Sequence, residues 1–310
     1  MRILDEVRDR LIRDAAFAHV RNLSQRSDHF TSADLQKGFQ FEGERIPLRN
    51  PQRGIFKPQR MRYLLSITTI FPRAGARVWY DDQRHAHSKL YASTDFVDYA
   101  FMGSNPQAAD NRWLREAFEQ RIPILYFIGV SPGLFMAEKA YIAGWNGDRL
   151  VASVGFGNPL EFVDGRFADN APAQRYAMRT TQQRLHQASF RQAVMTAYDG
   201  RCALSGLPET MLLDAAHIVA DSHVDFGQPI VPNGLPLSKI HHAAFDAHLI
   251  GIDADTRIHV SPRLLEQRDG PMLEAIKSLN GNLIRQPSRP KDRPDRDRLA
   301  MRFDQYRLRL

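Results

Sequence analysis

Residues 212–219 read Leu212-Leu213-Asp214-Ala215-Ala216-His217-Ile218-Val219, residues 233–235 read Asn233-Gly234-Leu235, and residues 241–246 read His241-His242-Ala243-Ala244-Phe245-Asp246. The first belongs to an apolar run, 211–219, bounded by Gly206-Leu207-Pro208 and Asp221-Ser222-His223, which predicts a strand between turns. Pro229, Pro232, Asn233-Gly234 and Pro236 predict a loop over 228–237. From Ser238 the spacing becomes helical: His241, Phe245, His248 and Leu249 share one face, and His242 shares another with Asp246. The expected order is strand, loop, helix.

Those side chains suit one kind of chemistry. A phosphodiester is anionic, repels nucleophiles and expels an alkoxide, so its hydrolysis needs a base for water and a cation at the leaving oxygen. Neutral imidazole, with an ordinary pKa of about 6.5, accepts a proton near neutral pH, while imidazoles and carboxylates can hold a divalent metal. His217 suits the first task, and His242 with an acid suits the second. Taken alone, His217 would read as an ordinary packed or surface histidine and Asn233-Gly234 as an ordinary turn. Their order with His242 favours the catalytic reading. His223 and His259 have no partner in the sequence and read as structural or exposed.

Residues 202–251 resemble an HNH endonuclease core, the ββα-metal fold, in the branch reading Ala-Ala-His-Ile, Asn-Gly-Leu and His-His-Ala-Ala-Phe-Asp. The resemblance implies that His217 is the general base, that Asn233 holds the loop orienting it, and that His242 binds Mg²⁺ or Mn²⁺. Asp246, one helical turn on, would hydrogen-bond the His242 imidazole from behind. His241, on the Phe245 side of the helix, would support that shell or simply pack. Many relatives place an acidic metal ligand directly before the base histidine, where this chain has Ala216, so Asp214 is the best substitute. Many also brace the core with two Cys-x-x-Cys pairs. Here those positions are Cys202 with Ser205 and Ser238 with His241, and no structural zinc is expected from one thiolate.

Composition agrees without identifying anything. The chain has 310 residues and a formal net charge of +7, with a sequence pI near 9.7. That length allows two domains, and the basic balance suits a polyanion. The single cysteine excludes an internal disulfide, Met1-Arg2-Ile3-Leu4-Asp5-Glu6 does not resemble a signal peptide, and no apolar run is long enough to span a bilayer. A cytoplasmic protein with no membrane partner is expected.

Upstream, the expected class is α+β. Leu4, Val7, Leu11, Ala15 and Ala18 predict a helix over 3–23, Thr31-Ser32 could cap a second through Lys37, and residues 39–46 alternate around a turn. Residues 1–58 therefore read as a winged-helix-like piece or a helical cap on the next domain. From 59 to 156 the pattern is strand-rich, at 63–70, 76–80, 98–101 and 123–128, with one amphipathic helix over 111–121. A partly closed β-barrel with a packed helix is expected. That order, ahead of an HNH core, resembles the modified-base readers of the PUA and SRA superfamily in modification-dependent restriction endonucleases.

The resemblance implies a base extruded from the duplex into an aromatic pocket with a carboxylate at its Watson–Crick edge. Trp79, Tyr80, Asp81 and Asp82 are the first candidates, with Tyr91, Tyr99, Trp113 and Trp145 as further walls. Strand aromatics also fill cores, and the two acids could equally cap a turn. Arg53, Lys57, Arg60 and Arg62 form a loop suited to phosphate contacts, or a solvated one. Residues 157–180 read as a linker and 181–310 as the nuclease domain, entered by an amphipathic helix over 183–198. The arginine- and proline-rich tail, 285–310, would wrap DNA or remain solvated.

The combined expectation is an endonuclease cutting double-stranded DNA that carries 5-methyl- or 5-hydroxymethylcytosine, as a homodimer for a double-strand break. Two rivals stay open. One is a nuclease triggered by a small molecule held by the same aromatics. The other is a DNA-binding regulator with a decayed core, for which Ala216 speaks while His217, Asn233 and His242 speak against.

Overall fold

The computed structural model describes residues 2–25, 27, 29–71, 96–157, 171–268 and 270–309. Trp79, Tyr80, Asp81, Asp82 and Tyr91 lie outside them. The chain divides into two compact units, Met1–Ala188 and Ser189–Leu310.

In the first unit, α1 (Arg2–Ser24), β1 (Phe30–Thr31) and α2 (Ser32–Lys37) precede the strands β2 (Phe39–Phe41), β3 (Glu44–Ile46), β4 (Ile55–Phe56) and β5 (Ser66–Thr69). Then come β6 (Val97–Ala100), α3 (Ala109–Glu119), β7 (Pro123–Ser131), β8 (Leu134–Asn146) and β9 (Val151–Phe156). A reciprocal box starts α2: the Thr31 hydroxyl accepts from the Asp34 N–H, while the Asp34 carboxylate accepts from the Thr31 N–H. β2 and β3 pair antiparallel, as the alternation of 39–46 predicts.

The main sheet has the order β4-β5-β7-β8-β9-β6, with β1 beside β8. β5 and β7 run parallel and the other neighbours antiparallel. β7 is buried on both faces. Ile124, Tyr126, Ile128 and Val130 enter one core with Val97, Leu114 and Val154. Leu125 and Phe127 enter another with Ile12, Ala16 and Val20 of α1 and with Leu35, Phe39, Ile46 and Leu48. Strand alternation thus feeds two layers.

The elements expected of a winged helix are therefore present in order, but their apolar sides pack on the sheet, so 1–58 forms a layer of this unit. A buried pair fastens that layer: Arg13 bonds Asp9 at 2.8 Å and donates to the carbonyls of Leu64 and Pro123, while Asp9 accepts from the Arg62 and Tyr63 N–H groups.

Among the described residues the sheet is an open path, curled rather than closed into a ring of paired strands. Tyr99 of β6, at one end, reaches across to β5, next to the other end, its hydroxyl donating to the Thr68 carbonyl at 3.2 Å. Gly54 makes room, since a Cβ there would lie 2.5 Å from that hydroxyl.

Helix α4 (Ala171–Ala197) covers the end of the expected linker and the expected entry helix. In the second unit follow β10 (Leu213–His217), β11 (Gly234–Ser238), α5 (Lys239–Asp246), β12 (Ile250–Ile252), β13 (Ile258–Val260), α6 (Pro262–Leu265), α7 (Pro271–Lys277) and α8 (Arg296–Arg307). Two sequence expectations change here. The segment expected as a loop over 228–237 contains β11, paired with β10 in the register His217↔Gly234 and Asp214↔Leu237. Pro236 is tolerated because it lacks only a donor, and its carbonyl accepts from the Ala203 N–H at 2.7 Å. The tail, in turn, ends in α8, whose Leu299 and Tyr306 are buried. Arg298 there bonds the Phe226 carbonyl and the Gln228 side chain, so the segment is built into the unit.

Candidate active site

β10, β11 and α5 bring together the residues singled out in the sequence. Ser238 caps α5, its side chain accepting from the His241 N–H. That start point carries His242 to Asp214: the His242 Nδ1 lies 3.5 Å from the Asp214 carboxylate, and its Nε2 lies 3.3 Å from Asp246, one turn further on. With the Nε2 proton donated to Asp246, Nδ1 and Asp214 present lone pairs to the same point. Two such acceptors repel unless a cation lies between them, and imidazole nitrogen with carboxylate oxygen suits a divalent ion that keeps waters or phosphate oxygens in its other positions. Among the described residues no cluster of three or more His, Cys, Asp or Glu is arranged around a metal. Asp214 and His242 thus fit as a two-donor site.

His217 ends β10. Its ring lies flat on Phe190 of α4, centroids 4.1 Å apart and planes at 11°. Its Nε2 is buried without a hydrogen-bond partner, leaving Nδ1 to meet water. Burial lowers the His217 pKa below its ordinary value; Asp221 pulls the other way, and His242 adds to the lowering. The imidazole is consequently neutral at pH 7 and able to accept a proton.

Asn233 is fully buried. Its side chain accepts from the Val219 N–H at 2.9 Å and donates to the Val219 and Gln228 carbonyls, while its own carbonyl accepts from the Ile218 N–H. The two residues after His217 are thereby tied to the start of β11, which closes the loop between them. Gly234 has φ −130°, which any residue adopts. Its glycine is required by packing, since a Cβ would come within 2.4 Å of Val194 and 2.8 Å of Phe190.

His241 does not join this group. It is buried, with Nδ1 3.4 Å from the Cys202 Sγ, which also accepts from the Ser238 N–H. Sequence reasoning missed Phe190 and Arg191. Arg191 lies 3.7 Å from Asp214 and donates to the Thr210 carbonyl. Both sit upstream of the motif, on a helix recognisable only by its apolar spacing, so no local signal marks them.

The other expected residues lie in the first unit. Tyr99 is buried and bonded to Thr68. Trp113 is half-buried beneath the Lys57 ammonium, 5.3 Å from its ring centre. Trp145 packs on Phe101 and donates to the Asn111 carbonyl. Arg53 pairs with Asp110, Arg60 with Glu44 and Arg62 with Glu6.

An antiparallel strand pair and a helix thus bring together His217, the buried Asn233 and the Asp214–His242 pair. Residues 202–253 match the HNH endonuclease family HNH_2, so the chain carries an HNH endonuclease domain and is a DNA endonuclease. Among solved structures it is similar to a modification-dependent TagI restriction endonuclease, with 14% identity over 83% of this chain and 86% of that one and a TM-score of 0.32. It is also similar to the type IV phosphorothioation-dependent restriction endonuclease ScoMcrA, with 15% identity over 63% of this chain and 48% of that one and a TM-score of 0.23. No curated protein matches the chain. No helix among the described residues is long and apolar enough to cross a membrane.

Proposed function

We propose that the protein is a restriction endonuclease that hydrolyses DNA carrying a modified cytosine, cutting through its HNH domain and recognising the modification through its first unit. The observation that carries the catalytic part is the facing pair of Asp214 and His242 beside a neutral His217. A divalent cation held by Asp214 and His242, Mg²⁺ or Mn²⁺, would stabilise the departing alkoxide. His217 takes a proton from the attacking water at Nδ1. Asn233 keeps that imidazole in place by fixing residues 218 and 219, and Asp246 holds the His242 ring in the tautomer that leaves Nδ1 free. The specificity part is supported by the resemblance of residues 61–156 to modified-base readers. One such centre cuts one strand, so a homodimer would account for double-strand cleavage.

The test is digestion of matched duplexes bearing cytosine, 5-methylcytosine or 5-hydroxymethylcytosine with Mg²⁺, with Mn²⁺ or with a chelator. Cleavage confined to modified duplex and abolished by the chelator is expected. Equal cleavage of all duplexes would leave a nuclease without the proposed specificity.

A further inference from the structure

Within the first unit a cleft of about 470 Å³ opens between the β3 region, the 50–60 loop and α3. Arg45, Arg53, Lys57 and Arg60 line it, and among its described lining residues Glu44 is the acid. Arg53 is neutralised by Asp110 and Arg60 by Glu44. Arg45 is exposed with no acidic partner among the described residues, and the Lys57 ammonium is held at the cleft by the Met61 carbonyl at 3.1 Å and by the Trp113 face. Two cationic groups therefore remain uncompensated around one concavity. Trp113, Phe56, Ile55 and Pro58 supply flat or apolar wall, and Asn50 and Gln59 add polar groups. The loop between is set by prolines and by Ile55 and Phe56 pairing with β5, so the cations are presented by ordered backbone.

We propose that this cleft binds one nucleotide unit, its phosphate on Arg45 and Lys57 and its base against the Trp113 and Phe56 side. Phosphate attracts fixed guanidinium and ammonium groups, while a base offers a π-face to aromatic walls. A volume of this size is in the range of small-molecule sites and exceeds what a lone phosphate fills. The DNA strand is the source, and the inference rests on the proposed function; a free nucleotide presents the same chemistry.

The full-length protein is titrated in chelator, so that nothing is cut, with fluorescent duplex and single-stranded DNA between 50 and 200 mM salt and separately with deoxycytidine monophosphate. The wild type is compared with Arg45→Ala and Lys57→Ala. The Arg45 side chain is exposed and makes no ion pair among the described residues, so Arg45→Ala keeps the fold, and a thermal melt checks this. We expect DNA affinity to fall roughly tenfold for either variant, with the slope of log affinity against log salt reduced by about 1. Unchanged DNA binding with loss of the wild type's mononucleotide binding would retain the site and assign it to a free nucleotide. Wild-type affinity and slope in both variants, with no mononucleotide effect, would overturn it. Cleavage is read apart from binding, on saturating DNA with Mg²⁺. Wild-type protein that binds DNA but never cuts would sink the nuclease reading and leave the cleft standing.

Discussion

Phe190 and His217 lie ring on ring, 4.1 Å apart and nearly parallel, with one ring from the helix ahead of the HNH motif and the other from its first strand. The contact both orients the imidazole and contributes to the burial that lowers its pKa. A base must be unprotonated to act, so the lowering extends activity to more acid pH. Phe190→Ala should expose His217, raise its pKa towards the ordinary value and move the acid limb of the cleavage profile to higher pH. The rate at the optimum should also fall, by up to about 10²-fold from lost positioning. A pH profile superimposable on the wild type's would show that the stacking does not matter.

His217→Ala should reduce cleavage by about 10²–10⁴ while DNA affinity stays within a few-fold, because a proton acceptor is lost and no phosphate contact is. Single-turnover cleavage and a binding isotherm on the same preparation separate the two effects. Wild-type rates would remove His217 from the mechanism.

Asp214→Ala and His242→Ala should each raise the Mg²⁺ or Mn²⁺ concentration needed for half-maximal cleavage. Asp246→Asn should do so more weakly, within the roughly 10–100-fold cost typical of losing a group that orients a metal-bound histidine. If Asp214→Ala leaves the metal titration unmoved, the ligand beside His242 lies elsewhere.

Asn233→Ala strands the Val219 N–H and carbonyl in the interior and removes the donor to the part-buried Gln228 carbonyl. Each buried group left without a partner costs about 1–3 kcal/mol. A clear drop in the urea or thermal midpoint is expected along with lost activity, and a variant as stable as the wild type would contradict the bracing role.

Cys202 sets a pH dependence of stability. Burial alone pushes the thiol up, but hydrogen bonds from His241, Ser205 and Ser238 outweigh it and bring the pKa down to about 6. With the folded pKa below the unfolded one, the stabilisation is full above the ordinary thiol range and is lost as pH falls from about 9 through about 6. Thermal midpoints should record that loss, and Cys202→Ala should flatten it. Parallel curves for the two proteins would refute the assignment.

Much of this was legible in residue order. Asp34 three positions after Thr31 gives the α2 box, Ser238 gives the start of α5, and the i, i+4 spacing of His242 and Asp246 puts the acid against the ring whatever surrounds the helix. The alternation of 39–46 likewise suffices for a hairpin. Such features depend on neighbours a few residues apart, and local geometry settles them.

Strand β8 was not anticipated, because Glu138 and Lys139 interrupt its apolar pattern and the register shifts between Ile142 and Gly144. Pro236 hid β11 for a related reason: a strand whose partner needs no donor at that point looks like a loop. In the sequence Arg53, Lys57 and Arg60 belong to one candidate loop and Trp113 to another group, and only the fold places them around one cleft with Arg45.

The sequence by itself determined that His217, Asn233, His242 and Asp246 follow one another in the order and helical spacing of an HNH core, the family whose model matches residues 202–253. Only the tertiary structure decided what surrounds those groups: Phe190 on His217, Arg191 near Asp214, and a missing side chain at Gly234 where the helix passes. Contacts of that kind join residues far apart in the chain, and their energy depends on the approach of two packed elements, which no spacing in the sequence encodes.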